Sequence, residues 1–331
     1  MMETSNPLTL VYATYATIWG ALWGSFLNVV IWRLPRGQNL AHPPSRCPKC
    51  EQEIRWFDNI PVVSWLLLRG RCRGCANPIS ARYPAVELVG ALLGWSLWSL
   101  ASSVPDQPLQ VTAMVFLFLF FFALTMVAIA FIDFDLTIIP HSLTFPMMAW
   151  GLLGALVRPK ADGWEHFFPA PDLLTAGIGL LAGAGVIYGV FVGYKLATGR
   201  EGLGGGDATM LAAIGANLGW PSLIFVLMFA SMQGLVAALA LVGYEKFSGR
   251  STDGSPGGLM RGAHRPEFWD EEGRRIVPGS EAGADAPTLT EEDGAFLRLA
   301  LPFGPFLALA AIEYIFWGEG LLRWLTAGVY P

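Results

Sequence analysis

Charge is what this chain of 331 residues has least of: only 14% of it is Asp, Glu, Lys or Arg, where a soluble domain carries about 25%. That shortage, together with 53% hydrophobic residues and thirteen tryptophans, excludes an ordinary water-soluble fold and leaves a polytopic membrane protein. Histidine is scarce as well. The four present, His42, His141, His166 and His264, fall in different loops or on opposite sides of the membrane, so neither a His-based metal site nor a Ser-His-Asp set can be assembled from them. No glycine-rich nucleotide fold of the usual soluble kind is present. No repeat of whole helices is visible, which argues against the inverted-repeat architecture of many transporters. The N-terminus lacks the basic start and small-residue cleavage site of a signal peptide, so its first apolar stretch reads as a retained span.

What the chain has in abundance is apolar length. Crossing the hydrocarbon takes about 20 residues, and apolar stretches run near 8–31, 84–104, 111–132, 141–157, 173–196, 208–219, 222–243 and 300–322. The expectation is an all-α membrane protein of about eight transmembrane helices, one of them short. Orientation follows from Lys and Arg: nine lie in 33–82, two in 195–200 and seven in 244–300, eighteen of the 21 in all. The positive-inside rule makes that side the cytoplasm, with both termini outside. Sidedness, rather than the formal net charge of −5, carries the electrostatic information.

All four cysteines lie in the first cytoplasmic loop. Cys47-Pro-Lys-Cys50 and Cys72-Arg-Gly-Cys75 are two CxxC knuckles in a reducing compartment that disfavours structural disulfides. Their spacing is close to the usual zinc pattern. Each knuckle is followed by a polar pair and an Ile, as in CPKCEQEI and CRGCANPI, the pattern of two tight turns that aim thiolates at one ion and each release a short strand. Four thiolates close a tetrahedral Zn²⁺ with no open position, which makes such a site structural. A pair of redox dithiols, or unligated thiols, is the alternative. Between the knuckles, the aromatic and apolar insert from Trp56 to Leu68, flanked by Arg55, Arg69, Arg71 and Arg73, suits either the membrane interface or packing against the helices.

Two segments put carboxylates at span ends. Asp133 and Asp135 stand in the run from Ile132 to Pro140, where Pro140 suits the first turn of the next span. Taken alone they equally fit ordinary interfacial charges. Asp207 follows Gly202-Leu203-Gly204-Gly205-Gly206. A helix cap is one reading of it, but Ser or Asn caps as well as Asp, and capping does not require three glycines. A charge at membrane depth is costly enough to be a functional hypothesis by default. Both segments emerge on the cytoplasmic side, so the carboxylates can meet. Two carboxylates sharing a site do not both ionise easily, and an aspartic protease uses that asymmetry: one takes a proton from water while the other polarises the scissile carbonyl. Glu87 and Glu313, inside spans, fit a helix–helix hydrogen bond as well as a function.

These residues together resemble a known family, the type IV prepilin peptidases, or bifunctional leader peptidase/N-methyltransferases. The resemblance rests on Gly24-Ser25-Phe26-Leu27-Asn28 through Pro35 and on the stretch from Ser45 to Glu87. It rests also on Ile132-Asp133 through Pro140, Gly204-Gly205-Gly206-Asp207, and Pro302-Phe303-Gly304-Pro305-Phe306. It implies an intramembrane aspartic endopeptidase of the bacterial inner membrane that removes the leader of prepilins or pseudopilins after a Gly, then methylates the new N-terminal residue with S-adenosylmethionine. Carried over by position, Asp133 and Asp207 are the catalytic pair, with Asp135 the competitor for the first role. Cys47, Cys50, Cys72 and Cys75 are the Zn²⁺ ligands. The cysteine loop and both aspartates face the cytoplasm, and the partners are membrane-embedded substrates and lipid, with no nucleic acid. His141 and Thr209 depart from the pattern, at places often held by Asp or Asn and by Lys.

The organisation expected from all this is a first transmembrane helix at 1–32, a zinc-binding, methyltransferase-associated domain at 33–83 and a transmembrane peptidase core at 84–247. A flexible cytoplasmic insertion follows at 248–299, rich in Gly, Pro, Ser and acids, and the last helix and C-terminus occupy 300–331. The alternatives are a peptidase without methyltransferase activity, an ion-coupled membrane transporter, and a non-enzymatic zinc scaffold whose aspartates only cap helices.

Overall fold

The computed structural model describes residues 7–104, 107–157, 171–198, 205–248, 268–269, 275–276, 302–318 and 320–321. Nearly all of the insertion at 248–299, His166, His264, and the glycine run up to Gly204 lie outside the described residues. Each of the eight apolar stretches forms a helix over most of its described part. Their helices are α1 (Pro7–Arg33), α3 (Arg82–Ala101), α4 (Leu109–Leu136), α5 (His141–Val157), α6 (Leu173–Thr198), α7 (Gly205–Leu218), α8 (Trp220–Ser248) and α9 (Gly304–Glu313). A five-residue α2 (Val63–Leu67) lies in the cysteine loop. Four helices among the described residues are long and apolar enough to cross a membrane, within α1, α3, α4 and α8, and the remainder are shorter apolar helices. Phe268–Trp269 pairs antiparallel with Arg275–Ile276.

The chain divides into two compact units. The first comprises residues 1–128 and 159–168 and is organised on the hairpin of α1 and α3. Gly20 and Gly24 on α1 face Gly90 and Gly94 on α3 so closely that a Cβ on Gly24 would meet the Glu87 Cα at 2.8 Å, and one on Gly90 would meet the Gly24 Cα at 3.0 Å. Lipid tails are as apolar as leucine, so helices in a bilayer associate through close backbone packing, and the two small-xxx-small patterns supply it. Past α1, Gly37 turns the chain at φ +63°, and Arg33 donates to the carbonyls of Asn39, Leu40 and Pro43 at 3.1, 3.4 and 2.7 Å. The cysteine loop therefore leaves its helix on a fixed path.

The second unit, 129–158 and 169–331, is centred on α7, which is buried from Met210 to Leu218. Gly151 of α5 and Gly179 and Gly183 of α6 bring those helices against its backbone. Asn217, fully buried, donates to the carbonyls of Met147 and Ala213, both at 2.8 Å. Gln233 of α8 donates to Glu313 of α9 at 2.6 Å, so Glu313 makes a helix–helix hydrogen bond.

Candidate active site

The two cysteine knuckles are built alike. In each, the first cysteine accepts from a residue four places on, Glu51 at 2.9 Å and Ala76 at 2.9 Å, and its own N–H donates five places on, to Gln52 at 3.0 Å and Asn77 at 2.8 Å. Glu51 and Ala76 both take φ +56° to close these turns. The short strands expected after the knuckles shrink to single antiparallel bridges, Arg46 with Glu53 and Arg71 with Pro78, because each returning segment is used up in closing its turn. The turns converge all four sulfurs within 4.8 Å of one another, with Cys47 and Cys75 3.8 Å apart and Cys50 and Cys72 4.0 Å apart. Zn–S bonds of about 2.3 Å in a tetrahedron separate sulfurs by about 3.8 Å, so the cluster fits such an ion. The N–H groups of Cys50 and Lys49 bring the Cys47 thiol down to about 6. Cys50, despite the N–H of Gln52, is pushed up to about 11 by desolvation and the neighbouring thiols, as expected where four sulfurs compete for one small space.

The insert between the knuckles is pinned at one end and bare at the other. Arg73 grips Asp58 with both Nε and Nη2, which holds the Asp58 carboxyl below its usual range, and the Trp65 indole donates to the Ile79 carbonyl at 3.1 Å. Trp56 and Leu67 are nevertheless 81% and 77% exposed, the disposition expected of side chains that meet a headgroup layer.

The aspartates lie in the second unit. Asp133, in the last turn of α4, is 6% exposed, whereas Asp135 is exposed. Asp133 Oδ2 accepts the backbone N–H of Gly304 at 3.0 Å, and the charge of Asp207 acts on the same carboxylate. Asp207 is half-buried and no cap: α7 begins two residues earlier, at Gly205, which puts the aspartate within the first turn. Pro140, expected inside α5, instead stands before its first residue and starts the helix with its carbonyl, which accepts from Leu143 and Thr144.

Ile139 fixes how these segments meet. A Cβ on Gly206 would lie 2.8 Å from the Ile139 Cβ, and one on Gly304 would lie 2.5 Å from Asp133 Oδ2 and 3.2 Å from the Ile139 Cδ1. Glycine is required at both positions, and at 304 the reason is contact with the carboxylate itself. Gly304→Ala should therefore displace Asp133 and cut any activity that depends on it by at least about tenfold, the penalty of a small misplacement. The check is a rate measured beside an unchanged zinc content.

Behind Asp207, Thr209 Oγ1 donates to the Gly206 carbonyl at 2.9 Å and lies 3.3 Å from His141 Nδ1 and 3.2 Å from Thr144 Oγ1. With its proton committed to Gly206, Thr209 accepts from both neighbours, and the network assigns His141 the Nδ1–H tautomer. The two residues that depart from the family pattern are thus in contact with each other. Separated by 68 residues, they carry no sequence signal of their pairing, and the role of Gly304 is hidden in the same way. The one signal for the glycine was its place between Phe303 and Pro305 at a helix start.

The sequence profile of the Bacterial Peptidase A24 N-terminal domain matches residues 18–100, and that of the Type IV leader peptidase family matches 120–239. The chain is 36% identical to the prepilin leader peptidase/N-methyltransferase of Myxococcus xanthus, with 96% of this chain and 94% of that protein covered. It is 32% identical to the prepilin leader peptidase/N-methyltransferase of Aeromonas hydrophila, over 98% and 97%. It is 36% identical to the same-named protein of Neisseria gonorrhoeae, over 72% and 86%. No solved structure matches it.

Proposed function

We propose a division of labour for this chain, which belongs to the type IV leader peptidase family: its second unit cuts prepilin leaders and its first carries the N-methyltransferase activity. It is an enzyme, and its substrates are prepilins. Asp133 and Asp207 are the catalytic pair. The observation that carries this reading is the buried Asp133 carboxylate, held by the Gly304 N–H, with Ile139 packed against both Gly304 and Gly206, the neighbour of Asp207. One aspartate takes a proton from the attacking water while the other, protonated, donates to the scissile carbonyl. The proton assignments reverse as the amine leaves. Gly205, beside which a Cβ would meet nothing within 4 Å, leaves room near Asp207 for an extended substrate backbone.

Cys47, Cys50, Cys72 and Cys75 hold a structural Zn²⁺, which supplies folding energy to a loop too small for its own core. S-adenosylmethionine is the methyl donor. The protein sits in the bacterial inner membrane with the cysteine loop and both aspartates on the cytoplasmic face, where the Lys and Arg excess also lies. A substrate's apolar helix stays among the spans while its basic leader remains in the cytoplasm.

Purified protein incubated with a prepilin and labelled S-adenosylmethionine tests the whole reading. Leader removal with label on the new N-terminus is the expected result. Cleavage without label would remove the methyl-transfer half, and neither product would overturn the reading altogether.

A further inference from the structure

Glu87 is the one buried acid among the described residues of the first unit, 9% exposed, and cleavage makes no use of it. It stands just over one turn into α3, at the end of the hairpin that carries the cysteine loop, where Gly24 of α1 presses against its backbone. Its Oε2 accepts the Val62 N–H at 2.6 Å, and the Ser25 hydroxyl lies beside the carboxylate. No Lys, Arg or His pairs with it among the described residues, and α1 and the cysteine-loop insert bring it only these neutral donors. The ionisable groups nearest along its own helix are Arg82 and Tyr83, about one turn earlier.

The donor that faces it is itself unusual. Val62 takes φ +62°, ψ −48°, and the Val63 N–H bonds the Pro61 carbonyl at 2.6 Å. That is the rare, strained form of the γ-turn, centred on a β-branched residue for which positive φ is an outlier. Strain of this kind persists where the surroundings over-determine it and gathers at functional sites. A carboxylate withdrawn from water with neutral donors alone remains short of a cation. A cation is what methyl transfer brings, because the N-terminus exposed by leader removal is an ammonium.

We propose that Glu87 is a catalytic residue of methyl transfer, binding the new N-terminal ammonium of the cleaved substrate and taking its proton. The assignment rests on the reading that the first unit carries the methyltransferase activity. The ammonium gives one proton to the carboxylate and becomes a neutral amine. The freed lone pair forms a bond to the methyl carbon of the sulfonium donor while the carbon–sulfur bond breaks, and its electron pair leaves on sulfur as a neutral thioether. The product is a methylated ammonium, and Glu87 releases its proton to solvent.

The test is Glu87→Gln in the full-length enzyme, with a prepilin and labelled donor and with cleavage and methylation scored on the same sample. Leader removal stays at the wild-type rate. At about pH 6.5 methylation falls by about 10²–10⁴-fold, the contribution of a positioned base. At about pH 9, above the ordinary α-amino pKa of about 7.7–8.0, it recovers to within about tenfold of wild type, because the amine is already neutral. The KM for the donor shifts by less than about threefold, as expected of a group that does not bind it. Equal losses at both pH values would overturn the proposal and leave Glu87 a latch for the Val62 turn. A raised donor KM with kcat intact would overturn it in favour of sulfonium binding. If cleavage is lost as well, the variant has not folded, and Glu87→Asp decides. A drop of about tenfold or more with the wild-type pH profile kept supports the base, and a wild-type rate overturns it. Wild-type protein that cleaves but never methylates would instead refute the methyltransferase reading itself.

Discussion

Asp133→Asn and Asp207→Asn should each lower leader removal by about 10⁴-fold or more, the top of the range for a positioned acid or base, and the double variant should be little worse than either single one. Asparagine keeps the volume and the capacity to accept the Gly304 N–H but cannot carry a proton to or from the reacting groups. Residues that work as one unit give losses that do not add, so the double variant separates a shared site from two independent contributions. Purified protein with a prepilin in detergent gives the rates. Zinc content and thermal unfolding should remain those of the wild type, since both aspartates lie in the second unit and the cysteines in the first.

The second large effect concerns the metal. In small domains stapled by one ion, zinc binding supplies about 10–16 kcal/mol at neutral pH, and the segment between the knuckles has little core of its own: Trp56, Leu66 and Leu67 are all exposed. Cys47→Ser with Cys72→Ser should abolish zinc binding and leave the loop cleavable by protease, as should a strong chelator acting on the wild type. Residues from about 45 to 80 would be cut first, while the helices of the second unit resist. The ligands bind metal only as thiolates, so acidification favours the metal-free form, and the chelator concentration needed should fall as pH is lowered from 7 to about 5. Methylation is expected to fail with the loop, because the Val62 turn that faces Glu87 lies between the two knuckles. A loop that stays protected after its thiols are removed would show that the cysteines do not staple it.

The parts of this structure legible in the sequence are those governed by local rules. Helices announce themselves by apolar length, and each of the eight stretches forms one over most of its described residues. The thiol cluster was legible because two CxxC turns aim their own sulfurs, and only the joining of the pairs is non-local. Of Asp133 and Asp207 the sequence offers positions at span ends, but not that α7 begins at Gly205 and so frees Asp207 from capping. Nor does it offer the packing of Gly206 against Ile139, 67 residues away. Gly304 was invisible as a partner because 171 residues separate it from Asp133. The Thr209–His141 contact likewise spans 68 residues. Glu87 looked ambiguous as one acid inside a span; the Val62 turn resolves its surroundings, and no periodicity or propensity announces a β-branched residue at positive φ.

Asp135 stands two residues from Asp133 in the same sequence motif and is exposed rather than buried. Leader removal by Asp135→Asn and Asp133→Asn, measured side by side on one prepilin at equal zinc content, is the most direct test of the catalytic pair. The pairing of Asp133 with Asp207 predicts cleavage within about threefold of wild type for the first variant and none detectable for the second. An inactive Asp135→Asn beside a working Asp133→Asn would contradict it.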